Sequence, residues 1–228
     1  MIGMSTRLTI LGFSLLSTFM APASGQGDRI LPVRTEPSSA GEVPSVKIGT
    51  QTWMKFNVAS KTFRNGDVIP LITGTTAWAA QGSSRLPASS LYDDDPNNLG
   101  RWGLLYNYYA ISDPRGICPP GWQVPTDADW KQLEASVGDN AATKLKSRTG
   151  WPAGKAGSDT VGFAGLPAGF QTQRGDFFLG ERVAYFWSIT SLSPSTTTAH
   201  MLFDYDPKIF RIEYDKTMGM SLRCIKSD

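Results

Sequence analysis

The stretch ICPPGWQVPTDADWKQL, residues 117–133, constrains the fold more than any other part of this 228-residue chain. Pro119, Pro120 and Gly121 exclude a continuous helix or a central strand there. Each proline fixes φ and lacks an N–H donor, whereas the glycine admits positive φ. A tight, rigid turn is therefore expected at this point in the chain.

A short amphipathic helix is predicted over residues 127–137, directly after the turn. Thr126 stands three residues before Asp129, at the spacing of a capping pair that starts a helix. The spacing i, i+3, i+7 gives the helix one apolar face. This face consists of Trp130, Leu133 and Val137. A second short helix is predicted over residues 141–147, with Asn140 as its N-terminal cap.

The remainder of the domain is predicted to be mostly strands. A hairpin is expected over residues 46–54, where two apolar runs flank Gly49. After the helices, short β-prone runs alternate with turn residues. These runs are residues 176–179, 185–190, 200–205, 209–214 and 221–225. Helices followed by a series of strands indicate an α+β class with mostly antiparallel pairing.

The first 25 residues are typical of a secretory signal peptide. Arg7 provides the positive start, residues 8–20 are apolar, and small residues follow at 21–23. The apolar run is shorter than the ~20 residues that a membrane-spanning helix needs. The sequence thus predicts export without a transmembrane segment, to the periplasm, the cell surface or the medium.

Residues 26–45 form a proline- and serine-rich linker, and residues 46–228 form one predicted domain. The whole chain carries 22 basic and 20 acidic residues, a net charge of +2. The basic residues are scattered along the chain. Neither a nucleic acid nor an anionic membrane surface is indicated as a partner.

Two cysteines, Cys118 and Cys224, lie far apart in the predicted domain. In an exported protein an even count favours a disulfide. A structural zinc site would need four ligands, and the chain offers only two thiols and one histidine. Two buried free thiols are the alternative to the bridge.

Long loops are the expected place for recognition. Residues 62–99 are rich in glycine, serine and acids, and long loops in compact domains are often functional. Most of the seven tryptophans should lie in the core. Trp78 and Trp151, by their place in loop-like sequence, are the candidate ligand-binding aromatics.

Acidic residues at 93–95 form the candidate metal site. Hard oxygen ligands at alternate positions, Asp93 and Asp95, suit calcium. The stretch is not an EF-hand loop, because Asn98 replaces the required glycine and Leu104 replaces the closing glutamate. A solvated acidic turn is the simpler interpretation.

Catalytic signals are weak. His200 is the chain's one histidine, so a histidine pair cannot be built. A polar strand residue with satisfied hydrogen bonds is its simplest role. A hydrolase would need two carboxylates at a set separation, which a sequence cannot measure. Candidate carboxylates are Asp93, Asp94, Asp95, Asp176, Glu181 and Asp204.

Six motifs, in this order, resemble the Fibrobacter succinogenes major paralogous domain family of exported bacterial proteins. The motifs are IGTQTWM (48–54), LYNYYA (105–110), ICPPGWQVPTDADW (117–130), GFAGLPAGF (162–170), YFWSIT (185–190) and SLRCIK (221–226). The resemblance covers residues 46–226. The chain departs from the family at Lys55-Phe56, and at Gln123, where the family often has histidine.

The resemblance implies a C-type-lectin-like fold, with helices flanking a small twisted antiparallel sheet, long loops, and N- and C-terminal strands that lie together. In such folds a disulfide ties the first helical region to the last strand, at positions matching Cys118 and Cys224. Formylglycine-generating enzymes share this architecture but use a cysteine pair close together in sequence as a redox or copper site. The family brings no established activity.

The sequence therefore predicts a non-catalytic binding or adhesion module that recognises a carbohydrate or a protein through its long loops. A structural or assembly component of the cell surface without a discrete ligand is the alternative. A secreted hydrolase is the third interpretation. The sequence requires no cofactor, although calcium could be bound at Asp93 and Asp95.

Overall fold

The computed structural model of the protein describes residues 42–227. The predicted signal peptide and the linker residues before Glu42 lie outside this range. Residues 42–227 combine helices and strands in a mixed α+β arrangement that is mostly sheet. The strands are β1 (Ser45–Ile48), β2 (Gln51–Met54), β3 (Ser89–Ser90), β4 (Leu105–Tyr106), β5 (Trp122–Gln123), β6 (Phe170–Gln171), β7 (Phe177–Phe178), β8 (Val183–Ser191), β9 (Thr196–Phe203), β10 (Ile209–Asp215), β11 (Met220–Ser221) and β12 (Ile225–Lys226). The helices are α1 (Thr75–Ser83), α2 (Asn98–Trp102), α3 (Tyr108–Ile111), α4 (Asp127–Val137) and α5 (Ala141–Leu145).

Helix α4 forms where the sequence predicted it. The Thr126 hydroxyl accepts a hydrogen bond from the N–H of Asp129 at 3.1 Å. The Asp129 carboxylate accepts one from the N–H of Thr126 at 2.7 Å, which completes a capping box. The predicted apolar face is buried. Gly138, at φ +72°, ends the helix.

Helix α5 is shorter than predicted, and its predicted cap is wrong. Asn140 adopts a left-handed φ of 57°, outside the extended region of an ordinary cap residue, and its side chain makes no capping hydrogen bond. The helix ends at Leu145 because the chain then turns to bond a neighbouring segment. The N–H of Ser147 donates to the carbonyl of Gly165 at 2.9 Å, and the N–H of Gly165 donates to that of Leu145 at 2.8 Å.

The two ends of the described chain meet in a four-stranded sheet with the order β1-β2-β12-β5. Strands β1 and β2 form the predicted hairpin, with Gly49 at φ +60° in its turn. Strand β12 inserts beside it, so that Ile225 lies opposite Trp53 on one side and Gln123 on the other. The first and last strands of the domain are therefore held in one sheet.

A six-stranded sheet with the order β10-β9-β8-β11-β4-β3 forms the centre of the domain. Its pairs are antiparallel except for β11 and β8, which run parallel with Ser221 opposite Phe186. The predicted class, α+β with mostly antiparallel pairing, is confirmed. Within residues 42–227 no helix is both long enough and apolar enough to span a membrane.

This sheet separates two hydrophobic cores, because side chains alternate between its faces. Tyr185 and Met201 are opposite neighbours on one face, which packs with the segments around α3 and Cys118. Phe186 and His200 are opposite neighbours on the other face. Phe186 belongs to a core that includes buried residues of α4 and α5.

Cys118 and Cys224 form a disulfide across a sequence separation of 106 residues. Both residues are buried, so the bridge is part of the core. It connects the Pro-Pro-Gly turn before α4 to the segment just before β12. The predicted bridge is confirmed.

The stretch predicted as a loop-rich insertion, residues 62–99, is packed against the domain instead. It contains α1 and β3, and its side chains Phe63, Ile69 and Trp78 are almost completely buried. The aromatic stretch that follows contains strand β4 and the short helix α3.

Candidate binding surface

The two candidate tryptophans lie in the core, which corrects the expectation that their rings face solvent. Trp78 is 1% exposed on α1, and its ring packs closely on the backbone of Gly219. Trp151 is 9% exposed. Its indole N–H donates to the carbonyl of Gly165 at 3.0 Å, and the Lys146 ammonium lies 5.0 Å from its ring centroid. Neither ring offers an open face to a ligand.

The candidate metal ligands belong to a turn whose carboxylates already accept hydrogen bonds. Asp94 accepts the N–H of Gly74 at 2.9 Å. Asp95 accepts the backbone and side-chain N–H groups of Asn97, each at 2.9 Å. Burial, followed by the charges of Asp94 and Asp95, raises the pKa of Asp93 above its ordinary value. No group of three or more acidic, histidine or cysteine side chains in residues 42–227 is placed to hold a metal ion.

Two of the candidate hydrolytic carboxylates belong to ion pairs. Glu181 accepts from Arg101 at 2.7 Å, and both side chains are well exposed. Asp204 accepts from Arg182 at 2.9 Å, and its own side chain is almost completely buried. Each carboxylate therefore compensates a guanidinium group.

The single histidine lies in a buried charge cluster under the first turn of α4. Strand register places Phe186, His200 and Arg211 side by side on three neighbouring strands. Trp130 of α4 stacks on the His200 imidazole, with ring centroids 4.9 Å apart and an interplanar angle of 13°. Nε2 of His200 lies 3.2 Å from Oδ1 of Asp127 without meeting hydrogen-bond geometry.

The Asp127 carboxylate is the negative charge of this cluster, and two basic side chains contact it. Arg211 Nε donates a short hydrogen bond to its carboxylate, and Lys131 lies 3.0 Å from the other oxygen. Burial raises the pKa of Asp127, but the hydrogen bonds from Arg211 and Lys131 outweigh it and hold that pKa below its ordinary value. Burial lowers the pKa of His200 to about 4, although the Asp127 charge opposes the shift. His200 is therefore neutral at pH 7 and shielded from solvent, which suits a structural role.

A cluster of seven aromatic side chains, which we call the aromatic surface, lies on the opposite face of the same strands. It was not predicted from the sequence. Its members are Phe170, Phe178, Tyr185, Phe203, Tyr205, Phe210 and Tyr214. Strands β6 and β7 contribute the first two, which face each other across a short hairpin. Strands β8 to β10 and the turn after β9 contribute the rest.

Ring contacts order the aromatic surface around Tyr185. The Phe170 ring lies 4.8 Å from that of Tyr185, and the Tyr214 ring meets it edge-on at 5.8 Å. Burial, with the Tyr214 phenol as the next cause, raises the pKa of Tyr185 well above its ordinary value.

A second set of contacts extends the aromatic surface towards solvent. The ring of Phe203 lies 5.2 Å from that of Tyr205 and 5.1 Å from that of Phe210. Tyr205 is 65% exposed and Phe178 is 50% exposed, whereas Tyr185 is buried. Each of the two exposed rings thus contacts a half-buried aromatic neighbour, Phe170 for Phe178 and Phe203 for Tyr205. The alternation of aromatic residues at 203 and 205, and at 210 and 214, was the available sequence signal.

A central sheet with a core on each face, and a disulfide between the turn before α4 and the segment just before β12, define a disulfide-bonded α+β domain. The chain belongs to the Fibrobacter succinogenes major domain family, whose model matches residues 46–226. No curated protein and no solved structure matches the chain.

Proposed function

We propose that this protein is a non-catalytic binding module, exported from the cytoplasm, that recognises a carbohydrate or a protein ligand through the aromatic surface. The main observation behind this proposal is the pair of exposed rings, Phe178 and Tyr205, which pack on half-buried aromatic neighbours. Exposed aromatic side chains present a large contact area at low cost in conformational entropy, so they are frequent anchors of binding sites.

Three features support a C-type-lectin-like architecture as part of this proposal. The first and last strands are joined through the pairing of β2 with β12. The disulfide ties the turn before α4 to the segment just before the last strand. Helices α4 and α5 cover one face of a largely antiparallel sheet. In this proposal, however, the ligand contacts the sheet and the β6–β7 hairpin and not the loops predicted from the sequence.

Export is supported by the disulfide, since such bridges persist in oxidising compartments. The predicted signal peptide, residues 1–25, lies outside the described residues. Cell fractionation with N-terminal sequencing of the mature protein tests this part of the proposal. Cytoplasmic protein that retains its first 25 residues would contradict it.

Glycan and protein arrays with the purified mature protein test the ligand. Once a ligand is found, Phe178→Ala and Tyr205→Ala should each weaken binding. Removal of an anchoring aromatic costs about 2 kcal/mol, or roughly 30-fold in Kd. Leu86→Ala is the matched control, because Leu86 is 50% exposed and lies outside the aromatic surface.

Two outcomes would contradict the proposal. If both aromatic variants kept the Kd of the unaltered protein, the aromatic surface would not be the binding site. If neither array gave a ligand, a structural component would be the better interpretation. Binding should also persist in chelator, because Asp94 already accepts a hydrogen bond from Gly74 and Asp95 accepts one from Asn97.

A further inference from the structure

Strand β10 is the outermost strand of the six-stranded sheet. It pairs with β9 on one side, and within residues 42–227 no strand pairs with its other side. Its three central residues are exposed, and Ile212 is 42% exposed. An open strand edge offers a row of N–H and C=O groups to which another strand can pair.

The sequence of this edge, IFRIEYD, is complementary to itself when it is paired antiparallel about Ile212. A twofold axis perpendicular to the sheet makes Ile212 meet Ile212 of a second copy. Arg211 then lies opposite Glu213 of that copy, and Phe210 lies opposite Tyr214, and the axis repeats each pair. Opposite-charge and aromatic cross-strand pairs both stabilise antiparallel strands.

Other registers are less favourable. In a continuous sheet, the same face of each copy lies on the same side. The twofold axis must therefore relate one residue to the same residue of the second copy. A one-residue slip would place side chains of one copy on the opposite face from their partners. An axis at Arg211 brings two arginines together, and an axis at Glu213 brings two glutamates together. An axis at Tyr214 places Glu213 opposite Asp215. Ile212 is the one centre within β10 that places Arg211 opposite Glu213, and Asp215 then lies opposite the uncharged Ile209.

The charged side chains of the strand are available for these pairs. Glu213 is exposed and forms no ion pair with any of residues 42–227. Arg211 uses Nε for Asp127, and its side chain is 41% exposed, which leaves terminal nitrogens for a second carboxylate. Edge strands are often protected by charged side chains, whereas on this edge a basic residue, Arg211, and an acidic residue, Glu213, stand at positions that match under twofold symmetry.

We propose that β10 is a homodimer interface, at which a second copy of this chain adds its own β10 antiparallel and centred on Ile212. The two six-stranded sheets then form one continuous sheet across the twofold axis. The partner is identified by backbone pairing together with the Arg211–Glu213 and Phe210–Tyr214 complementarity. This inference does not depend on the proposed ligand.

Sedimentation equilibrium of the mature protein over a range of concentrations tests the dimer. The unaltered protein should show a reversible monomer–dimer equilibrium. Ile212→Glu puts two like charges at the axis and should weaken the dimer by tenfold or more. Val68→Glu is the matched control, because Val68 is a more exposed aliphatic residue, 69% exposed, outside β10.

Charge-reversal variants distinguish pairing in this register from non-specific association. Glu213→Arg and Arg211→Glu should each be monomeric, since each places like charges opposite one another. An equimolar mixture of the two variants should form a heterodimer, in which residues 211 and 213 again carry opposite charges across the interface. Circular dichroism and thermal unfolding of each variant verify that it is folded, and Glu213→Arg alone carries the test if Arg211→Glu fails to fold.

Hydrogen exchange provides an independent measurement on the unaltered protein. Amides of residues 209–215 should exchange more slowly as dimer forms. The proposal is overturned if the protein stays monomeric at every concentration, if it grows beyond a dimer, or if Ile212→Glu and Val68→Glu have the same effect.

Discussion

Acid should destabilise this protein through one residue, His200. In the folded state burial lowers its pKa to about 4, whereas a histidine in an unfolded chain has a pKa of about 6.5. Between these values the unfolded chain binds more protons than the folded one. The free energy of unfolding should therefore fall as the pH falls from about 7 towards 4, and the loss between about pH 7 and about pH 5 is about 2 kcal/mol.

The neighbouring carboxylate, Asp127, does not cause a similar loss of unfolding free energy as the pH falls through that range. Asp127 has a lowered pKa, so it stays ionised in that range. His200 is also the chain's one histidine. His200→Gln keeps a polar side chain of similar size without a titrating imidazole, so its unfolding free energy should change much less with pH.

Urea unfolding followed by tryptophan fluorescence at the two pH values measures the difference. A direct NMR titration of the imidazole gives the folded-state pKa. Equal losses in the unaltered protein and in His200→Gln would refute the reasoning, as would a folded-state pKa close to 6.5. Either result would mean that solvent or a structural change stabilises the imidazolium in the folded protein.

Further predictions concern stability and can be measured in the same urea assay. Thr126→Ala should cost about 1 kcal/mol through loss of the helix cap, and Thr126→Ser should cost much less. Replacing Cys118 and Cys224 together by serine should cost about 2–5 kcal/mol, and an unchanged midpoint would show that the bridge adds nothing. Gly169→Ala should cost more than about 1 kcal/mol. Its new Cβ would meet a carbonyl oxygen of β7 at 2.4 Å, at a φ of +63°. Gly66→Ala, where φ is also positive but the space is open, should cost less.

Local features of the fold could be predicted from the sequence because neighbouring residues determine them. The cap at Thr126, the apolar face of α4 and the stop at Gly138 all lie within 13 residues and agree with one another. The hairpin around Gly49 was predicted for the same reason. The cysteine pairing was predictable because the chain contains only two cysteines.

Long-range packing explains the errors. Trp78 lies in glycine- and serine-rich sequence that is typical of a loop, yet α1 packs its ring against Gly219. The aromatic surface combines residues from separate segments, between Phe170 and Tyr214, whose proximity depends on strand order. The cluster of Asp127 and His200 depends on the register of β8 to β10 under α4. None of these arrangements follows from local periodicity.

The disulfide and the shared terminal sheet determine how the domain carries mechanical load. A pull on Ser45 and Lys226 acts first on the short ladders that join β1, β2 and β12. Once these separate, tension passes from residue 118 to residue 224 directly through the sulfur atoms. The 106-residue separation between them corresponds to roughly 350 Å of extended chain. That length, which includes helices α4 and α5 and most of the central sheet, bears no tension until the bridge is reduced. Before reduction only residues 45–118 and 224–226 can lengthen, to roughly 250 Å of extended chain.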